Sequence, residues 1–209
     1  MSGILDLLNS SMGKELINGA SQQMGLNKAS TASALGAAMP LILGAMKNNS
    51  STSSGAAGLL GALGNSSHNG SMLDNLGSIL GGSNIDDDVM TDGGNILGHV
   101  FGGQEKNAAN AISKSSGIDM SSAMNMMKVA APFIMSYLGK QAVSNGVSDQ
   151  NGLSGLLGGL LGNEEEAQQD MASKIQGFDN NDFSIDDIAG LMTGGGGSSI
   201  LGSLGKLFS

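Results

Sequence analysis

Two histidines, His68 and His99, and three clusters of carboxylates are the side chains in this chain whose chemistry invites an acid–base or metal role. Neither histidine stands in an HxxxH or HExxH spacing, the pattern that sets two ligands on one helix face. His68 lies in a Ser/Asn/Gly run and reads as an exposed loop residue. His99 lies in the glycine-rich stretch Gly94–Gly103, where a packed or solvent-facing ring is expected rather than a base or ligand. Asp86-Asp87-Asp88 with Asp92-Gly93 resembles a calcium loop only superficially. An EF-hand needs oxygen ligands at positions 1, 3, 5 and 12 and glycine at 6. Counted from Asp86, those last three places hold Met90, Leu97 and Thr91, so the pattern fails. A solvated acidic turn at a helix start is expected instead, where carboxylates suit the helix dipole. Glu164-Glu165-Glu166 and Asp186-Asp187 read the same way. Use of the aspartate pair as acid and base would need surroundings that separate their pKa values, and the sequence supplies none. The glycine runs contain no GxxxxGK[ST], no GxGxxG between strand and helix, and no GxSxG. With no cysteine, thiolate chemistry, thiolate metal sites and disulfides are excluded. No catalytic, cofactor-binding or metal-binding residue is assigned, no cofactor is expected, and the chain is expected not to be an enzyme.

The elements behind these residues must be built from an unusual composition. Glycine supplies 35 of 209 residues, methionine 14, and aromatics 3%, with no tryptophan. A core of Leu, Ile, Met and Ala favours close helix packing, and methionine adapts to irregular gaps. The net charge is −9 and every basic residue is lysine. Without arginine, bidentate recognition of phosphate or guanine loses its usual residue, so nucleic acid is not expected as a partner. The acidic balance also disfavours anionic lipid, so membrane contact is not favoured. The N-terminus lacks the charged and long apolar regions of a signal peptide. No uninterrupted apolar stretch reaches the roughly 18–20 residues of a spanning helix. A cytoplasmic location is expected.

An internal repeat organises the chain. The only prolines, Pro40 and Pro132, are 92 positions apart, and Gly25/Gly117, Leu26/Ile118, Asn27/Asp119, Ser30/Ser122 and Ile42/Ile134 share that offset. In each copy an amphipathic helix ends at the glycine, the next residue but one caps a new helix, and an apolar run carries the proline. A kink or break is expected near each proline, which lacks a backbone donor. The Leu/Gly helices Gly58–Gly64 and Gly155–Gly162 pair at an offset of 97, which places about five extra residues in the second copy's loop. The expected fold is all-α, a duplicated multi-helical repeat with Pro-kinked central helices and a flexible C-terminal extension. The units are residues 1–64, a connecting segment with a short helix and the acidic turn at 65–95, a second repeat at 96–162, and an acidic, glycine-rich extension at 163–209.

These duplicated helix–Gly–cap–helix units, the phrase Gly94-Asn95-Ile96-Leu97-Gly98-His99-Val100-Phe101-Gly102-Gly103 and the Leu/Gly helices resemble the bacterial YidB-like family, a domain of unknown function. The resemblance covers most of residues 1–162. It implies an all-α fold and brings no activity or catalytic residue with it.

The feature most open to a functional reading is the Leu/Gly surface: Leu59, Leu60, Leu156, Leu157, Leu160 and Leu161, and after the Gly194–Gly197 linker, Ile200, Leu201, Leu204, Leu207 and Phe208. Such helices either cap their own core or seek partners. The structural positions are Gly25, Pro40, Gly117 and Pro132. A non-enzymatic structural or interaction protein is expected, a homo-oligomer or bound to a protein partner. A peripheral membrane or export-associated protein is the alternative, and an enzyme of unknown reaction the third.

Overall fold

The computed structural model describes residues 4–64, Leu73 and 87–161. Among them the secondary structure is entirely helical: α1 (Ile4–Asn9), α2 (Ser11–Met24), α3 (Lys28–Asn49), α4 (Ser53–Leu63), α5 (Asp87–Phe101), α6 (Glu105–Ser116), α7 (Met120–Ser144) and α8 (Gln150–Leu161).

Local chemistry sets the helix ends, and the two halves use the same devices. Gly25 and Gly117 terminate α2 and α6 with φ of 64° and 70°, a backbone region that costs glycine nothing. Their amides donate to the carbonyls of Ser21 and Ser113. Two residues on, Asn27 and Asp119 cap α3 and α7. The amide of Ser30 donates to Asn27 Oδ1 at 2.8 Å, and that of Ser122 to Asp119 Oδ1 at 2.9 Å. Such a cap is worth about 1 kcal/mol. Thr52 and Asp149 cap α4 and α8 in the same way, accepting from the amides of Gly55 and Gly152.

The long helices α3 and α7 are the core. Every residue from Ala34 to Met46 is buried, as is every residue from Val129 to Ser136, so apolar side chains surround these helices on all sides. Both run as continuous α-helix through Pro40 and Pro132, and neither proline breaks its helix. They pack on each other; α6 lies against both, and α2 chiefly on α3. The short helices cross over: α4 packs on α7 and on α8, while α8 packs chiefly on α3. Gln150, at the start of α8, fixes this crossing by donating to the Ser50 and Ser51 carbonyls at 3.2 and 3.1 Å.

By length and composition α3 could cross a bilayer, although its sequence holds no uninterrupted apolar stretch of that length. Most of it is buried inside the fold, where a core helix passes the same test. The second difference from expectation is α5. The acidic residues Asp87 and Asp88 form its first turn, and the helix runs unbroken across the boundary expected at 95/96. Gly93 makes its seating feasible, because a Cβ there would collide with the Lys128 carbonyl of α7.

Candidate functional site

One face of α5 lines a cleft of ≈ 540 Å³. Gly93, Leu97 and Phe101 form the buried stripe of this helix. Asp92, Asn95, Ile96, His99 and Val100 recur at i, i+3, i+4, i+7 and i+8, and all five border the cleft. The opposite wall is α4, with Ser54, Gly58 and Leu59. Met46 of α3 and Met135 of α7, both buried, lie at the base, and Asn49 and Thr52 stand at the lip.

Polar groups at the rim are held by one another. Asn49 Nδ2 donates to the His99 carbonyl at 2.9 Å, bridging α3 to α5. The Thr52 hydroxyl donates to the Asn49 carbonyl at 3.2 Å. His99 Nδ1 lies 2.9 Å from the Asn95 carbonyl. A carbonyl can only accept, so Nδ1 carries the proton and Nε2 remains available as an acceptor in the neutral ring. The site thus offers apolar walls from Leu59, Ile96 and Val100 under a rim of amides, hydroxyls and one imidazole. That make-up suits binding by shape and apolar burial with a few orienting hydrogen bonds. The cleft brings His99 together with a single carboxylate, Asp92. Among the described residues, no group of three or more histidines and carboxylates could hold a metal ion.

Two other polar groups stand out. Lys47 Nζ is shielded from solvent with no hydrogen-bond partner, and burial pulls its pKa below the usual 10.5. Ser136 Oγ, in the middle of α7, is likewise buried and unpartnered.

The residues singled out from sequence fall in three places. Leu59, Leu156, Leu157 and Leu160 are buried in the chain's own core, with Leu59 also forming cleft wall, and Leu60 and Leu161 are half-buried against it. Gly25, Pro40, Gly117 and Pro132 sit at the helix ends and in the core helices described above. Ile200, Leu201, Leu204, Leu207 and Phe208 lie outside the described residues, as do His68, Asp86, Glu164–Glu166, Asp186-Asp187 and the Gly194–Gly197 linker. The sequence hides the stripe on α5, because Asp86–Asp88 reads as a turn and the second repeat as opening at residue 96. Helical periodicity through 92–100 was the signal that could have found it.

A comparison with curated proteins and with solved structures finds no match. A family model described as a bacterial protein of unknown function (DUF937) matches residues 6–141, well over half the chain and spanning α2 through most of α7. It is the family that the YidB-like resemblance names, and its span contains both caps, both prolines and the α5 face of the cleft. The chain therefore belongs to DUF937, a family of bacterial proteins of unknown function.

Proposed function

We propose that this protein is a non-enzymatic structural and interaction protein that self-associates or binds a protein partner through apolar helical contacts. The observation that carries this is the cleft. Among the described residues the large hydrophobic side chains counted as exposed are Met120 and Val143, at 43% and 75%. Against that closed surface, a cleft bordered by the half-buried Ile96 and Val100 and by Leu59 is where apolar side chains of a partner can be buried. The leucines of α4 and α8 serve the internal core, so association is assigned to the cleft and to the apolar segment Ile200–Phe208.

We further infer that the halves arose by duplication of one helical unit, with Gly25/Gly117, Asn27/Asp119 and Pro40/Pro132 as its retained landmarks. Matching cap geometry at a constant offset supports this.

Size-exclusion chromatography with light scattering, on the full chain and on a chain ending at Thr193, tests the reading. Concentration-dependent assembly of the full chain, reduced by the truncation, is expected. A monomer in both forms at high concentration would overturn self-association.

A further inference from the structure

Pro132 alters the hydrogen bonding of α7 at the place where α5 touches it. In an α-helix the carbonyl of residue i accepts from the amide of residue i+4. Proline has no amide hydrogen, so the Lys128 carbonyl lacks its i+4 donor although α7 continues as helix. The backbone of α5 meets α7 at that same carbonyl. A Cβ on Gly93 would overlap the Lys128 carbonyl oxygen, with the carbonyl carbon at 2.7 Å and the Lys128 Cα at 2.9 Å. The hydrogen that glycine carries in that direction points at the oxygen. This is the arrangement of the Cα–H···O=C contacts that recur where helices pack closely.

The next residue of α5 rests on the same lysine. A Cβ on Gly94 would meet the Lys128 Cε at 3.8 Å, so the glycine pair sits over the carbonyl and the side-chain stem of one residue. The position of this seat matters for the cleft. Both of its walls, α4 and α5, pack on α7. Asp92, Asn95 and Ile96, which flank the glycine pair in sequence, border the cleft. Where Gly93 comes to rest on α7 therefore fixes where these side chains stand opposite α4.

We propose that Pro132 is a positioning residue for the cleft: by withholding an amide from the Lys128 carbonyl it creates a backbone acceptor on α7, and Gly93 docks α5 on that acceptor. The proline ring also crowds the carbonyl four residues before it, which turns the oxygen outward from the helix axis and toward α5. This goes beyond the assignment of the cleft as an interaction surface and does not depend on what binds there.

The test is NMR on the full chain, comparing the natural protein with Pro132→Ala. In the natural protein one of the two Gly93 Hα signals should lie downfield of the other, displaced by the carbonyl it faces. Pro132→Ala supplies the missing amide and removes the crowding ring, so the Lys128 carbonyl should turn back into its own helix. The two Gly93 Hα signals should then converge, and the new amide at position 132 should exchange slowly. Relative to those of α6, the amides of α5 should exchange about two- to fivefold faster, the factor carried by a contact of this strength. Pro40→Ala, the matching change in α3, should leave both Gly93 signals in place. A merely structural proline would move global stability without moving the Gly93 signals. Unchanged Gly93 signals and unchanged α5 exchange in Pro132→Ala would overturn the proposal. Should that variant fail to fold, coincident Gly93 Hα signals in the natural protein would overturn it by themselves. No partner or assembly enters these measurements, so failure of the functional reading and failure of this inference are separately visible.

Discussion

The two halves of the molecule agree where they build the core and part company where they meet solvent. Their central helices begin with the same cap, carry proline at the same place and are buried over corresponding runs. Their opening helices do not agree. In the first half, Leu7 and Leu8 lie near the end of the six-residue α1 and are both buried. At the same offset, the second half carries His99, which is exposed, and Val100, which is half-buried, on the fifteen-residue α5. An imidazole and a smaller aliphatic group on a longer helix thus stand where the first half has two buried leucines, and both border a cleft whose other wall, α4, comes from the first half. Core positions in such a fold tolerate little change, because a close-packed interior responds to single methylenes.

The strongest way to break this comparison is to remove matched core side chains. Ile42 and Ile134 are both fully buried. Ile42→Ala and Ile134→Ala should each cost about 2–5 kcal/mol by denaturant unfolding. Because α3 and α7 pack on each other, both variants should unfold in one transition. Two separated transitions would mean that the halves are independent units. Next in size is the seating of α5, which has no described counterpart in the first half. Gly93→Ala forces a Cβ into the Lys128 backbone and should cost about 1–3 kcal/mol. Gly94→Ala, whose Cβ would meet only the Lys128 Cε at 3.8 Å, should be neutral or slightly stabilising through helix propensity.

The caps sharpen the comparison by chemistry rather than by packing. Asn27→Ala should cost about 1 kcal/mol at any pH. Asp119 is held below the usual 3.8 by hydrogen bonds from the Ser122 hydroxyl and the Ser122 amide, which favour its ionised form. Its contribution is therefore present above that value and lost as pH falls through the lowered one. Hydrogen exchange of the first amides of α7 should quicken in acid while those of α3 do not, and Asp119→Asn should remove the difference. The smallest effect belongs to Lys47. Its lowered pKa means that the folded state disfavours the charge, so stability should rise slightly as pH climbs toward 10.5. Lys47→Met should raise stability slightly, since methionine keeps the apolar stem without the unpartnered ammonium. A fall in the midpoint of thermal unfolding would show that the ammonium has a stabilising role.

Legibility in the sequence followed the range of the interaction. Caps, glycine terminators and the long apolar runs are local, so the ends of α2 and α6 and the starts of α3 and α7 are legible from Gly25, Gly117, Asn27 and Asp119. The length of α5 was not read, because an acidic cluster with two glycines looks like a turn until the helix is given something to pack on. Both glycines cost helix propensity, and the close approach of Gly93 to α7 is the tertiary contact that offsets it. Proline shows the same limit. Local chemistry predicts an interruption, yet Pro40 and Pro132 lie in continuous helices because the surrounding core holds the segment helical.

By itself, the sequence determined the helical class, the constant offset between the halves, the positions of the glycine terminators and caps, and the exclusion of thiol chemistry. Each of these follows from residue identity and short-range geometry. The tertiary structure alone decided that the leucines of α4 and α8 point inward, that α4 crosses to α7 and α8 to α3, and that His99 stands at the lip of a cleft. Those outcomes depend on which faces are already covered by helices far away in sequence, and no local pattern carries that information.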